Sequence, residues 1–147
     1  MEQGSAPPRT IESWLLAGCG VWLLGLGLYF GFLRPAMLPE DFRFIGLTPE
    51  ALTQAAPGLQ VWLRRVFAVM GGFMFGGGVL TLYMSGQPTR RWVHVALWLF
   101  GLSTVGLMSA INFAIDSDFK WILLAPALGW LAALCLSGLR PRENPHA

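Results

Sequence analysis

Residues 14–33 read WLLAGCGVWLLGLGLYFGFL, a run without Asp, Glu, Lys or Arg and without a polar face. About 20 apolar residues in a helix cross the roughly 30 Å hydrocarbon core of a bilayer. A helix on the surface of a small soluble protein keeps a polar stripe instead. The run is therefore read as a membrane span over 13–33. Three further stretches free of Asp, Glu, Lys and Arg have the same character: 66–84, 92–115 and 121–139. Nine of the ten prolines (Pro7, Pro8, Pro35, Pro39, Pro49, Pro57, Pro88, Pro141 and Pro145) fall between or beyond these spans, as expected of helix breakers. Pro126 alone lies inside one, where a kink is expected.

Composition points the same way. The chain of 147 residues is 54% hydrophobic and only 12% charged, with a net charge of +2; its mean hydropathy is +0.55. This excludes intrinsic disorder, nucleic-acid binding and an ordinary soluble enzyme. The expected fold class is all-α: an integral membrane four-helix bundle, one membrane domain over 1–147, with one longer extracytoplasmic loop over 34–65 between helices 1 and 2. The first span is too long for a cleaved signal peptide, and RPAMLPED after it lacks a small-residue cleavage pattern, so it is expected to stay as an anchor.

Orientation rests on arginines in short loops. Arg90 and Arg91 lie in the second loop, Arg140 and Arg142 in the C-terminal tail and Arg9 in the N-terminal tail, whereas the third loop, DSDFK, holds two acids and one lysine. Both termini are thus expected in the cytoplasm. The long first loop opposes this with Arg34, Arg43, Arg64 and Arg65; with Lys120 it brings both sides to five basic residues. Trp14 and Trp92 would then mark the inner headgroup level, and Trp62 and Trp121 the outer one.

Helices in lipid associate through small residues that let backbones approach. Of the 18 glycines, 14 lie in the spans. The stripes expected to pack are Gly27 and Gly31 in the first span, Ala68, Gly72 and Gly76 in the second, Gly106 and Ala110 in the third, and Ala125, Gly129 and Ala133 in the fourth. They serve packing within the bundle or the seam of a homodimer. In the first loop, Thr48, Pro49 and Glu50 read as a helix start, and Pro57 with Gly58 as its stop. Leu59 to Arg65 then lead into the second span. Phe42, Phe44, Ile45 and Leu47 are too apolar for a free loop and are expected on the membrane surface or capping the bundle.

Catalytic patterns are sparse. Cys19 and Cys135 form no CxxC and are read as packing residues. His94 and His146 do not offer a pair of axial ligands inside the bundle. A haem using Met70, Met74 or Met108 with a histidine is therefore disfavoured. No cofactor or metal is expected. No charge sits at a helix centre, which disfavours a pump or proton relay. Small multidrug resistance transporters carry an acid in the middle of their first helix, where this chain has Gly20, Val21, Trp22 and Leu23.

One polar constellation stands out, in SAINFAIDSDFKW. Ser109, Asn112 and Asp116 share a helix face by their spacing of three and four. Asp118 and Lys120 follow in a tight turn. Arg34, Arg64 and Arg65 are expected at the same level, with Arg64 or Arg65 pairing with Asp116. The cluster is an ion-paired lock closing the bundle or a site for a small polar group or headgroup, with an oxygen-ligated metal site as the remaining alternative.

The passages LRPAMLPEDFRFIGLT, WLRRVFAVMGGFMFGGGVLTLY and INFAIDSDFKW resemble the small four-span bacterial integral membrane proteins of the DoxX-like kind, over 14–139. The resemblance implies a four-helix bundle in the bacterial inner (plasma) membrane and, for some members, a link to quinone or respiratory chemistry. It carries over no catalytic residue. The function expected is a non-enzymatic module that binds lipid, a partner membrane protein or a second copy of itself. The alternatives are an oligomeric small-solute transporter or channel, or a quinone-binding redox accessory.

Overall fold

The computed structural model describes residues 10–87 and 91–138. Arg9, Arg90, Arg140, Arg142, His146, Pro7, Pro8, Pro88, Pro141, Pro145 and the last residue of the fourth expected span lie outside the described residues. Helix α1 (Ile11–Leu28) continues into a π-helical turn, Tyr29–Leu33. Two short helices follow, α2 (Pro39–Ile45) and α3 (Pro49–Ala55), then α4 (Leu59–Ser85). Helix α5 (Arg91–Gly101), a second π-helical turn (Leu102–Gly106) and α6 (Leu107–Ala114) run on as one rod, and α7 is Lys120–Gly138. No strand occurs among the described residues. Four stretches are long and apolar enough to cross a membrane: Ile11–Leu33, Leu59–Ser85, Arg91–Ala114 and Lys120–Gly138. The chain is an all-α four-helix membrane bundle. Its outer surface is apolar, with Phe32 82%, Leu80 64% and Trp92 81% exposed, as expected where the surrounding solvent is lipid.

The two poles of the bundle differ. The termini pole carries Ile11, Ser85, Arg91 and Gly138. The loop pole carries α2, α3 and the turn over 115–119. Pro126 lies inside α7 without ending it. The second span begins at Leu59 instead of residue 66, because after Pro57 and Gly58 nothing interrupts the helix.

Helices α1 and α4 run antiparallel in close contact. A Cβ added to Gly27 would come within 2.6 Å of Phe75 N and 2.8 Å of Gly71 O, and one on Gly71 within 2.6 Å of Gly31 N. Likewise a Cβ on Gly78 would come within 2.8 Å of Gly20 O. The seam is therefore backbone on backbone, and Gly20/Gly27 and Gly71/Gly78 repeat at the heptad spacing of a gently crossing helix pair. This corrects the stripe expected in the second span. Gly72 and Gly76 face open space and Ala68 is exposed. Runs of two and three adjacent glycines leave the facing register open, and α1 selects the pair spaced by seven. Ala110 and Ala125 are also exposed, and Gly106 is half-buried against its own helix. Gly129 and Ala133 face inward; a Cβ on Gly129 would reach 3.4 Å from Cys19 Sγ.

Leu16, Cys19, Leu23, Leu97, Val105, Trp130, Ala133 and Leu134 form the buried core. The Trp130 indole lies on Gly101 and donates to Leu97 O at 3.1 Å. Cys19 donates its thiol to Pro126 O at 3.6 Å, while Cys135 is exposed, so the two cysteines are not joined. Most of this core lies in the termini half of the bundle.

Candidate functional site: a lateral cavity at the loop pole

Helix α4 packs on α1, and α7 packs on α1 and on α5–α6, but α4 and α5–α6 make little contact. The bundle is thus open along one side in its loop half. The opening is a cavity of about 910 Å³, at the upper end of the size of small-molecule sites, about 300–1,000 Å³. Trp22, Leu26, Met70, Met74, Leu107 and Met108 supply apolar walls. From Trp22 to Arg34 along α1, at 1.5 Å per residue, the cavity is roughly 18 Å deep. Phe100 forms its floor, its ring reaching across to α4 so that a Cβ on Gly77 would come within 2.7 Å of it. Both π-helical turns border the cavity, through Tyr29 and Phe30 on one side and Ser103 and Thr104 on the other. Such turns hold one residue more than an α-turn and recur at functional positions.

The polar end of the cavity is built by α2, an element not anticipated within the first loop. Pro39 opens α2, and Asp41 Oδ2 accepts the Leu38 N–H at 2.7 Å, so the first turn is capped. Gly46, at φ +74, ends it in the left-handed conformation that glycine adopts without strain. This places Leu38, Glu40 and Asp41 over the mouth of the cavity. Arg34 lies beneath them with a side chain 10% exposed. Its guanidinium sits 3.8 Å from the Phe67 ring centre and 5.2 Å from that of Phe30. Nη1 donates to Pro35 O at 3.0 Å, and Nη2 lies 3.5 Å from Asp41 Oδ2.

Glu40 is the residue that sequence reasoning missed. It is buried, and accepts the Ser117 hydroxyl at 2.9 Å and the Asp118 N–H at 3.1 Å. Ser117 is fully buried and in turn accepts the Phe119 N–H. An acid directly after a helix-starting proline suggests a helix N-terminus. Its partner, however, lies 77 residues away, and local spacing does not reveal it. Arg43 on α2 adds a two-pronged pair to Asp118, both contacts at 2.8 Å. This exposed pair raises the Arg43 guanidinium above its ordinary value.

No protein family, curated protein or solved structure matches the chain. The site is therefore read from its own chemistry.

The residues singled out in the sequence divide into two groups. Arg34 and Asn112 line the cavity. Asn112 donates Nδ2 to Met108 O at 2.8 Å, which leaves its amide oxygen without a partner among the described residues. Ser109 is buried on the same rod. Asp116 and Asp118 stand outside the cavity. Asp116 takes a left-handed conformation, φ 52, and pairs with Lys120, not with Arg64 or Arg65. The Lys120 hydrogen bond and charge hold its carboxyl below the ordinary carboxylate range. Arg64 and Arg65 are exposed and form no ion pair among the described residues. The expected pairing fails because α4 starts at Leu59, which puts both arginines more than a turn inside the helix and away from the turn over 115–119. Lys120 and Arg43 occupy the two aspartates instead.

At the termini pole, His94 is engaged at both ring nitrogens. Trp98 donates to Nε2 at 3.0 Å, and Nδ1 lies 3.1 Å from Ser137 Oγ. The cavity methionines Met70, Met74 and Met108 are in the other half of the bundle. No group of three His, Cys, Asp or Glu residues gathers among the described residues.

Proposed function

We propose that the chain is a non-enzymatic membrane module that takes a lipid-like molecule from the bilayer into the cavity between α4 and α5–α6. The observation that carries this reading is the cavity: about 910 Å³, apolar along its walls, polar at one end and open to the side. That is the shape of an amphiphile with its tail toward mid-bilayer and its head at the interface. Phe100 closes the cavity at mid-depth, which supports a binding site over a continuous solute path. The aromatic residues Trp22, Tyr29, Phe30 and Phe100 in its wall favour a quinone-binding redox accessory as the second reading. The proposed resemblance to DoxX-like proteins bears on the quinone reading alone, through the link of some members to quinone or respiratory chemistry. Protein purified in mild detergent is expected to retain about one lipid-like molecule per chain, seen by native mass spectrometry. Chains free of any bound amphiphile would refute the proposal.

The chain is further proposed to lie in the bacterial inner membrane with both termini cytoplasmic, on the strength of Arg90, Arg91, Arg140 and Arg142. The loop pole then faces the periplasm, and the cavity opens in the outer leaflet. A C-terminal reporter is expected to be active only in the cytoplasm. Activity only in the periplasm would invert the assignment.

A further inference from the structure

We infer that the occupant of the cavity has an uncharged head bearing a hydrogen-bond-accepting carbonyl, as in a glyceride ester, and that Arg34 holds this head. The inference rests on the reading of the cavity as a lipid site. It follows from which hydrogen-bonding groups at the polar end are already used.

A guanidinium presents five N–H groups in a planar fork and accepts nothing. Arg34 directs one to Pro35 O and one toward Asp41, with its plane supported by Phe67 and Phe30. Three N–H groups remain. The carboxylates nearby are partly engaged, and Asp41 Oδ1 has no partner among the described residues. Asp41 takes the Leu38 N–H and faces Arg34, while Glu40 takes the Ser117 hydroxyl and the Asp118 N–H. What the site has to spare is the Arg34 donors, which suit a carbonyl, together with two acceptors, Asp41 Oδ1 and the amide oxygen of Asn112, which suit the hydroxyls of a glyceride.

Charge narrows the class further. Arg34 contributes +1 and Glu40 and Asp41 contribute −1 each, so the cavity end carries a formal −1. A phosphate or carboxylate head would add negative charge where few waters screen it, and both acids oppose it. An ammonium head brings only donors. It meets the Arg34 cation and offers no acceptor to the spare Arg34 N–H groups. An ester or similar carbonyl accepts from Arg34 without disturbing the Arg34–Asp41 pair.

The test uses three amphiphiles with one tail and different heads: monoolein (neutral ester), oleate (anion) and oleylamine (cation). Each is titrated into the full-length protein purified in detergent, with bound species counted by native mass spectrometry. Monoolein is expected to bind about tenfold or more tighter than either charged analogue, a difference of about 1.4 kcal/mol. Arg34→Met is expected to weaken monoolein binding about tenfold and to abolish its preference over oleylamine. Asp41→Asn removes one opposing charge and is expected to raise oleate binding about tenfold relative to monoolein. Oleate or oleylamine binding best to the wild type would overturn the inference. So would unchanged monoolein binding in Arg34→Met with wild-type helix content and melting temperature. If Arg34→Met does not fold, Asp41→Asn decides, and an unchanged head preference there overturns the inference. Failure of all three probes to bind, or a crosslinked dimer that excludes them, would overturn the lipid reading itself.

Discussion

Gly71→Leu is expected to destroy the α1–α4 seam, with purified protein melting far below the wild type or failing to accumulate in the membrane. Overpacking a close-fitted interior typically costs about 1–3 kcal/mol. Here the cost should reach or exceed the top of that range. The atoms struck by a side chain at Gly71 are Gly27 O and Gly31 N, each 2.6 Å from its Cβ, and backbone does not swing aside as a side-chain tip does. Gly72→Leu is the matched control. It changes the same residue type on the next position of the same helix, but points into open space. It should leave the melting temperature unchanged, since a leucine facing lipid is in a favourable solvent. Equal effects from the two substitutions would show that the seam lies elsewhere.

Glu40→Gln carries the second large expected effect. The carboxylate is buried, and its two oxygens accept hydrogen bonds from Ser117 and Asp118, so it ties α2 to the turn between α6 and α7. Hydrogen bonds to a charged acceptor contribute about 1.5–3 kcal/mol each. Glutamine keeps one acceptor but sets an NH2 group against a donor, so a loss of about 3 kcal/mol is expected. Proteolysis should then cut first in the segment 34–48, where α2 is released. Arg43→Gln removes the exposed neighbouring pair with Asp118, and is expected to leave both stability and proteolysis unchanged, because solvent-exposed ion pairs hold little. Wild-type stability in Glu40→Gln would remove Glu40 from its role as the latch.

The spans were legible in the sequence because bilayer thickness sets a length and excludes charge, and both can be counted. Their ends were less so. Residues 59–65, LQVWLRR, mix apolar and basic side chains and read only as a lead into the second span, whereas the unbroken helix from Leu59 makes them its first turns. Helix α2 left local marks in Pro39, Asp41 and Gly46, yet at seven residues it is too short for periodicity to announce. The seam glycines of α4 were present in the pattern but misassigned by one and two positions, because GG and GGG offer several faces and the partner helix chooses. At the site, Asn112 was marked by the helix face it shares with Ser109 and Asp116, and Arg34 by its level at the end of the first span. Glu40 was not, since an acid in a loop ordinarily reads as exposed. Arg64 and Arg65 were misplaced for the opposite reason. Proximity in depth was taken for proximity in space, and Lys120, four residues from Asp116, was nearer.

As the proposed entrance for a bilayer lipid, the gap between α4 and α5–α6 has a consequence for supply. A guest entering sideways never leaves the bilayer, so aqueous solubility does not limit its arrival. Occupancy follows the guest's mole fraction among the surrounding lipids. A weak site stays filled when its guest is an abundant membrane component and empties when that component is scarce. Such a chain would report the make-up of the leaflet around it, and diluting the guest with other lipid would empty it even though the number of molecules in the sample stayed the same.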